Sequence, residues 1–450
     1  MGAVRHRSGG WRAALAVAVA LASSACGGHS STTLKARTAL DAGRPKAALA
    51  EYNELLDVES VNERVKDASG DASLYLLDRS MVLQQLRDYP HSSSDLETAD
   101  KAVELLDFAH GTIDDIGRYL YSDDTGPYKA PAYEKVMINT MNMVNYLVRG
   151  DLNGARIEAR RLAVMQKFLS EHDNDKGAWV GPGSYLAGFV FERSNSSDEA
   201  MQFYRESLEV GLPAELAPPV IRLGRRTGFT SPRFEELAAA TRAQDVPEGS
   251  AELLIVASYG RVPVKVAKRI PIGLALTYAS MFMSPAKQAQ ANELAAQGLV
   301  TWINYPELGK RRIVYETPQI TIDGVAGPAP TLYPIDEAAV AAWNKSKGAV
   351  IASAITRLIT RVVAGQVARR AAKDNVIGVL LSLGTQATLT ALDTPDTRSW
   401  GTLPSEVAIY RVNLPPGKHV VTVSARGEVQ REEFVLEPNG WKALNLTVLR

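Results

Sequence analysis

The chain has 450 residues, enough for two or three domains rather than one compact core. Fifty Lys and Arg residues balance fifty Asp and Glu residues, so the formal charge is zero, which argues against a nucleic-acid-binding protein. Hydrophobic residues make up 46% and charged residues 22%, as in a folded chain rather than a disordered one. The single cysteine excludes an internal disulfide and a Cys-built zinc or iron–sulfur site.

Residues 1–25 have the pattern of a secretory signal peptide. Three arginines precede an apolar run, Ala13 to Ala22, that is too short to span a bilayer. Small residues then lead directly to Cys26, which resembles the lipobox of bacterial lipoproteins, although Ser23 stands where leucine is commoner. The resemblance implies lipidation (palmitate and diacylglycerol) at Cys26 and a lipidated tether at 26–32. Because residue 27 is Gly rather than Asp, it also implies an outer-membrane anchor that faces the periplasm of a Gram-negative cell.

Residues 33–243 are rich in Ala, Leu, Glu and Arg at helical spacing, which predicts an all-α domain. A turn residue followed five positions later by alanine recurs in three pairs: Gly43 and Ala48, Gly150 and Ala155, and Asn195 and Ala200. This resembles the tetratricopeptide repeat, in which a residue at positive φ makes the turn and a small residue lets two helices approach. The copies are farther apart than the roughly 34 residues of a regular array, so we expect diverged repeats interrupted by loops.

Three asparagines on the helix before Gly150 are candidates for binding a partner. Asn139, Asn142 and Asn145 are spaced by three and therefore lie on one side of a helix. Amide groups both donate to and accept from a peptide backbone, and helical repeats commonly present a concave surface to a partner protein. The asparagines would clamp an extended partner segment. The alternative, which such a pattern favours, is a polar stripe that faces a neighbouring loop or solvent.

The C-terminal half predicts a mixture of strands and helices. Residues 244–250 contain Pro and Gly and predict a linker. A mainly β segment at 251–335 and a helical hairpin at 336–393 follow, the first helix being amphipathic and basic at its end. The second helix, Val376 to Leu392, is more uniformly apolar, which suits burial between elements, with membrane insertion as the alternative. The expected strands of the β segment are at 252–258, 262–270, 299–304, 311–315 and 319–322.

Residues 394–450 predict a C-terminal β module. Its alternating segments are 407–412, 418–423, 428–436 and 443–449. The run from Leu414 to Val423, which opens with Pro-Pro-Gly, resembles the turn and strand of small β-sandwich modules in envelope proteins. The expected fold class is therefore α+β and multidomain, with N-terminal tetratricopeptide-like helical repeats and a mixed α/β part that ends in a small β-sandwich-like module.

Patterns that carry catalytic or metal chemistry are missing from the sequence. It contains no H-E-x-x-H, phosphate-binding loop, G-x-S-x-G or dinucleotide fingerprint, and its six histidines are scattered. We therefore expect no metal and no cofactor. Ser284 and Lys287 match the S-x-x-K of penicillin-binding enzymes, but the companion S-D-N and K-T-G are lacking. Ser284 followed by Pro285 is also typical of a helix N-cap.

Two longer segments resemble a poorly characterised family of bacterial outer-membrane lipoproteins with tetratricopeptide-like N-terminal repeats. They are 150–161 and 396–404, the latter ahead of 414–417, and the resemblance covers most of the mature chain. It implies an outer-membrane lipoprotein without an assigned activity. Within 396–404, Arg398 and Trp400 are candidates for an exposed recognition pair. The alternative is that Trp400 packs under the final β module with Arg398 stacked over it.

The sequence as a whole predicts a membrane-anchored envelope lipoprotein that acts as a non-enzymatic protein-interaction scaffold, linked to cell-wall assembly by association only. Its expected partners are the membrane, through the lipid at Cys26, and another envelope protein, but no nucleic acid. Two alternatives stay open: a glycan- or peptidoglycan-binding module, and an envelope serine hydrolase that uses Ser284 and Lys287.

Overall fold

The computed structural model describes residues 28–108, 128, 130–172, 177, 180–241, 245–312, 316–371 and 394–450. The signal peptide, Cys26 and the apolar segment from Val376 to Leu392 lie outside these residues, so the interpretations made for them stay predictions. Among the helices of the described part, none combines the length and the apolar character that crossing a bilayer requires.

The N-terminal half is helical, as its Ala- and Leu-rich composition predicts. The helices are α1 (His29–Thr32), α2 (Leu34–Asp41), α3 (Pro45–Leu55), α4 (Asp71–Gln85), α5 (Tyr89–Phe108), α6 (Ala132–Val148), α7 (Leu152–His172), α8 (Gly181–Arg193), α9 (Ser197–Glu209), α10 (Ala217–Thr227) and α11 (Pro232–Ala240).

The helices α2–α3, α4–α5, α6–α7 and α8–α9 form hairpins with the same turn. The turn residue has positive φ in each: Gly43 (68°), Arg87 (63°), Gly150 (73°) and Asn195 (59°). Its N–H donates to the carbonyl three residues earlier, and the next N–H donates to the carbonyl five residues before itself. These are the two bonds of a Schellman motif. The turn residues expected at 43, 150 and 195 therefore end helices in one geometry. Arg87 makes a fourth such turn, which the sequence did not predict because arginine is uncommon at positive φ.

Small residues let the two helices of a hairpin pack closely. A Cβ at Gly188 would lie 2.4 Å from the ring of Tyr204, so only glycine allows α8 to approach α9 there. Ala155 and Ala200 are fully buried at the corresponding points of α7 and α9. The hairpins thus join one continuous core rather than separate pairs.

The chain is already folded at residue 28, so the described part of 26–32 is not the extended tether expected from sequence. Helix α1 packs on the body, and the His29 ring is buried and stacks on the Tyr75 ring at 5.3 Å between centroids. The Ser30 N–H donates to Thr397 Oγ1 at 3.1 Å. Burial of the histidine ring and this long-range bond hold the segment where a free linker was expected.

Two four-stranded sheets follow the helical layer. The strands are β1 (Ala251–Tyr259), β2 (Lys265–Pro271), β3 (Trp302–Leu308), β4 (Gln319–Ile322), β5 (Val325–Ala326), β6 (Thr331–Pro334), β7 (Glu406–Leu414), β8 (Gly417–Ala425), β9 (Glu428–Leu436) and β10 (Trp441–Val448). The first sheet has the order β10-β1-β7-β6 and the second β5-β4-β8-β9. Strand β1 is parallel to β10 and antiparallel to β7.

The first sheet is the middle of three layers. Alternate residues point to its two sides. Leu254 and Val256 join the core of the helices, whereas Leu253 and Ile255 join a second core against the other sheet. Strand β1 is buried along its whole length for this reason.

The pairing of β1 corrects the predicted domain boundaries. The segment 251–335 and the module 394–450 were expected to be successive units, but β1 belongs to one and its neighbours β7 and β10 to the other. A strand apolar on both faces needs partners on both edges, and these come from the end of the chain.

A separate lobe extends from the sheets. It contains the two-stranded ribbon β2–β3 and the helices α12 (Ile272–Ala279), α13 (Pro285–Ala296) and α14 (Ile335–Ala371), which share their own apolar core. Helix α14 agrees with the first helix of the predicted hairpin. Helices α12 and α13 were missed in a segment interpreted as mainly β, and β3 begins later than expected. Residues 311–312, inside another expected strand, do not belong to a strand.

Candidate functional site

The inner face of the helical hairpins is covered by the chain's own last strand. Thr447 on β10 donates its hydroxyl to Gln84 Oε1 at 2.9 Å, and the Gln84 amide donates to Asn145 Oδ1 at 2.8 Å. Asn145 in turn donates to Ser92 Oγ at 2.8 Å. This buried chain of hydrogen bonds joins β10 to α4, α6 and α5, where a partner peptide was expected.

All three candidate asparagines are consequently buried. Asn139 donates to Glu158 Oε2 at 3.1 Å, which ties α6 to α7. Asn142 is buried on the same helix, and the structure gives its amide no hydrogen-bond partner within the described residues. The stripe of amides therefore serves the interior of this fold rather than an exposed clamp, because the sheet fills the concave face. The alternative of a stripe that faces solvent is wrong as well, because all three side chains are buried.

The segment 396–405, here called the junction strap, fastens the sheets to the helices. Trp400 is 0% exposed, and its indole N–H donates to the Leu77 carbonyl on α4 at 3.0 Å. The Trp400 backbone N–H donates to Glu134 Oε1 on α6 at 3.2 Å. The Thr402 N–H donates to Asp78 Oδ1 at 2.9 Å.

Arg398 and Trp400 are therefore not an exposed recognition pair. Arg398 donates two hydrogen bonds of 2.9 Å to the Asp396 carboxylate, and its guanidinium lies 5.9 Å from the centre of the Tyr128 ring. Burial raises the pKa of Asp396, but the paired guanidinium outweighs that effect and leaves the pKa lowered. The alternative placement is corrected as well, since Trp400 packs against α4 rather than beneath the final β module.

Glu134 on α6 is the buried carboxyl to which the strap is hydrogen-bonded. It is fully buried and accepts hydrogen bonds from the Tyr128 hydroxyl at 2.5 Å, the Tyr133 hydroxyl at 3.1 Å and the Trp400 N–H. Burial raises its pKa, and the donors only partly offset that rise. A carboxyl with its oxygens occupied by fixed donors is suited to holding elements together.

A histidine and an aspartate also meet at this junction. His29 Nε2 lies 3.6 Å from Asp78 Oδ2, beyond hydrogen-bonding distance, and both side chains are buried. Neither ring nitrogen of His29 has a partner in the described part of the chain, nor has Asp78 Oδ2. The other Asp78 oxygen, Oδ1, accepts a hydrogen bond of 3.0 Å from the Thr402 hydroxyl, which ties this aspartate to the strap.

A second buried network joins the sheet to α8 and α9. The guanidinium of Arg411 on β7 bonds both oxygens of Glu252 at 2.7 and 2.9 Å and Glu192 Oε2 at 2.9 Å. It also donates to the Tyr204 hydroxyl at 2.8 Å and lies 4.8 Å from the centre of the Phe189 ring. Burial lowers the pKa of Arg411, but the two carboxylates raise it far more.

Ser284 behaves as a helix cap. Its hydroxyl accepts the Lys287 N–H at 3.4 Å at the start of α13, with Pro285 as the first helical residue. This is the capping alternative that the sequence offered. Among the described residues, no three His, Cys, Asp or Glu side chains are grouped so that they could hold a metal ion.

The exposed surface carries features that sequence reasoning missed. Helix α12 leaves Leu274, Tyr278 and Met281, just past its end, in solvent, and Trp302 is exposed at the start of β3. The available signal was a stretch from residue 270 to 286 without a charged residue, which was taken as part of a β segment. On the helical layer, the outer side of α7 exposes Ile157.

Comparisons with known proteins add little to this geometry. No protein-family model matches the chain, and no curated protein is recognisably similar to it in sequence. Two solved structures of MamA, one titled AMB-1 and one of a mutant, each align with 13% identity over 48% of this chain and with a TM-score of 0.28. The alignments cover 92% and 93% of the respective MamA chains.

Proposed function

We propose that the protein is a non-enzymatic scaffold of the cell envelope, with diverged tetratricopeptide-like hairpins whose outer surface docks a partner protein. The observation that carries the proposal is the double fastening of helices to sheet, by the junction strap and by Arg411. Both networks place charged groups in the interior, where each is held by several fixed partners. A body built this way is suited to presenting a surface of fixed shape.

The anchor in this proposal is lipid on Cys26. Gly28, the first described residue, is already the N-cap of helix α1, and Gly27 alone stands between it and Cys26 in sequence. At about 3.3–3.6 Å per residue, the two steps from Cys26 to Gly28 span at most about 7 Å. The lipid would therefore hold the body close to the outer membrane, on its periplasmic side.

The anchor is tested by replacing the cysteine. Cells that express the full chain with Cys26→Ala should show no incorporation of a clickable palmitate analogue, and the protein should move from the membrane to the soluble fraction. Ser24→Ala, which keeps a small residue before the cysteine, is the matched control and should remain labelled. Labelling that persists in Cys26→Ala would contradict lipidation at this position.

The docking surface in this proposal is the outer side of α7. Ile157 is 54% exposed and Val164 62% exposed, and they lie two turns apart with exposed Arg160 between them. Residues seven positions apart lie on one side of a helix, so these two aliphatic side chains form the apolar part of the surface that the partner would cover. The inner side of the hairpins is not available, since β10 occupies it.

Photo-crosslinking in cells tests the docking surface. Benzoylphenylalanine at position 157 or 164 should give the same crosslinked species, identified by mass spectrometry. The same group at position 235, an exposed site on α11, should not give it. An adduct that is absent at 157 and 164, or equally strong at 235, would refute docking on α7.

Peptidoglycan binding is a second candidate, favoured by one observation. Trp302 is exposed on the ribbon β2–β3, and an aromatic side chain on a β surface is the feature that this function requires. Purified sacculi should then retain the wild-type protein and lose Trp302→Ala, with Trp441→Phe, which alters a half-buried aromatic on another strand, as the control. Equal retention of the three proteins would rule out this use of Trp302.

A further inference from the structure

Helix α12 has one face in the lobe's core and an apolar face in solvent. Its buried side chains are Ile272, Ala275 and Ala279. Leu274, Tyr278 and Met281, at spacings of four and three residues, are exposed, and Met281 most of all at 82%. The three lie on one side of the chain at helical spacing, and we call them, together with Trp302, the α12 face.

Trp302 extends this surface from the adjacent ribbon. The Ile272 N–H at the start of α12 donates to the Thr301 carbonyl at 3.0 Å, which places the beginning of β3 beside the helix. Trp302 is 45% exposed, whereas its neighbour Ile303 is fully buried. Trp302 therefore points to the outer side of the ribbon, away from the lobe's core.

The chain segment around the α12 face carries more cations than anions. Residues 261–312 contain eight Lys and Arg residues and two Glu residues but no Asp. Arg261, Arg311 and Arg312 are paired with Asp41 or Asp336 outside this segment, so five of the eight cations are not engaged in these pairs. Lys268 and Arg269 are exposed on β2 immediately before α12. The acidic residues Glu293 and Glu307 lie on α13 and β3, and Glu307 is paired with Lys347 at 3.0 Å.

We propose that the α12 face docks on the surface of an anionic phospholipid bilayer, with its apolar side chains in the interfacial layer and Arg269, on the same side of the ribbon as Trp302, against the headgroups. Leu, Met, Tyr and Trp together on one exposed face, bordered by cations, are typical of segments that lie in the plane of a membrane. A Lys or Arg side chain close to an anionic leaflet adds electrostatic attraction to it. The two features act together only at a surface that is both negatively charged and apolar beneath.

Other occupants use only part of this surface. A soluble polyanion would engage the cations and leave Met281 in water. A glycan would stack on Trp302 but gain nothing from Leu274 and Met281, which offer it no hydrogen bonds. Strand β2 begins where the Lys265 N–H donates to Ser399 Oγ of the strap at 3.4 Å and then spans about 20 Å to α12.

The test uses the single cysteine of the chain. In the full chain, Cys26→Ser removes the only native thiol, so a new cysteine can be labelled selectively. It also removes the lipid anchor, so the result does not depend on the function proposed above. Met281→Cys then receives the environment-sensitive dye NBD, and Val429→Cys, at an exposed site on β9, receives it in the matched control. Vesicles contain phosphatidylcholine alone or with 30% phosphatidylglycerol. Both labelled proteins keep the N-terminal apolar segment, so only the label position differs.

With anionic vesicles we expect the dye at 281 to shift to shorter wavelength and gain at least twofold in intensity, and to be quenched by a spin label in the acyl chains. The dye at 429 should not change. Arg269→Glu should weaken vesicle binding several-fold, whereas Arg225→Glu, at an exposed residue of α10, should not.

Three results would overturn the proposal. The first is an unchanged signal at 281 with anionic vesicles. The second is an equal change at 281 and 429, which would locate binding elsewhere. The third is the same spectral change at 281 with heparin or with neutral vesicles, which would show that a bare polyanion or an uncharged surface suffices.

Discussion

The indole of Trp400 and the carbonyl of Leu77 form a 3.0 Å hydrogen bond between residues 323 positions apart in sequence. Trp400 belongs to the strap that leads into β7, and Leu77 lies in the middle of α4. The bond crosses the boundary at which composition suggests a linker and a new domain. Helices and sheet therefore share one core, and we expect them to unfold together.

Trp400→Ala should lower the free energy of unfolding by about 3–5 kcal/mol, because it removes a fully buried indole and leaves a cavity. Trp302→Ala, which truncates an exposed tryptophan, should change it by less than about 0.5 kcal/mol. Urea titrations followed by circular dichroism measure both. Two separate transitions, with only one affected by Trp400→Ala, would show that the halves fold independently.

Arg411→Met should destabilise the protein by about 3–5 kcal/mol, since it leaves Glu192 and Glu252 buried without their cation. Arg233→Ala removes a surface pair with Glu236 and should cost less than about 1 kcal/mol. Combining Arg411→Met with Glu252→Gln should recover part of the loss, because one buried charge is then removed. A loss no greater for Arg411→Met than for Arg233→Ala would contradict the network's role.

The stability should fall as pH rises between about 4.5 and 7 through Glu158. Burial raises the pKa of this carboxyl to about 7, despite the hydrogen bond from Asn139 and the nearby Arg161. In this range the folded state keeps a proton that the unfolded state has released, so raising the pH favours unfolding.

Glu158→Gln should therefore raise the free energy of unfolding by about 1–2 kcal/mol at pH 8 and change it little at pH 4.5. Glu437→Gln, in an exposed turn, is the control and should not change the pH profile. Urea midpoints at the two pH values measure the difference. An equal gain at both pH values would mean that ionisation of Glu158 is not its cause.

Two glycines with open space around them should respond to alanine in opposite directions. Gly150→Ala should destabilise by about 1 kcal/mol, because φ is 73° and a side chain strains that conformation. Gly273→Ala, within helix α12, should stabilise by up to about 1 kcal/mol, because alanine favours the helix. Thermal unfolding monitors both variants. Destabilisation by Gly273→Ala would contradict the expectation that alanine fits this helical position without a clash.

Local features of the fold are readable from the sequence, whereas the pairing of distant segments is not. Gly150 and Asn195 announce their turns because few residues tolerate positive φ. The amide stripe on α6 also has the expected spacing, but nothing local shows that β10, some three hundred residues later, will cover it. Strand β1 is a similar case, because its apolar run predicts a buried strand but does not show which strands pair with it.

Residue type likewise misleads where burial decides the role. Arg398 and Trp400 are residues that interfaces favour, but here the interface is internal, between the strap and the helices. Helix α12 was missed because a short apolar stretch has no periodicity that separates helix from strand. Its exposed face could not be foreseen, since exposure depends on the ribbon and on α14 beside it.

Strand β10 follows the other described elements in sequence and supports α4 and α6. A chain cut before Trp441 lacks this strand, so the two helices lose the surface that completes their packing. Folding of the N-terminal helices therefore depends on a segment that the ribosome adds some three hundred residues later. A truncated chain that lacks this segment should expose its unfinished helices to cellular proteases.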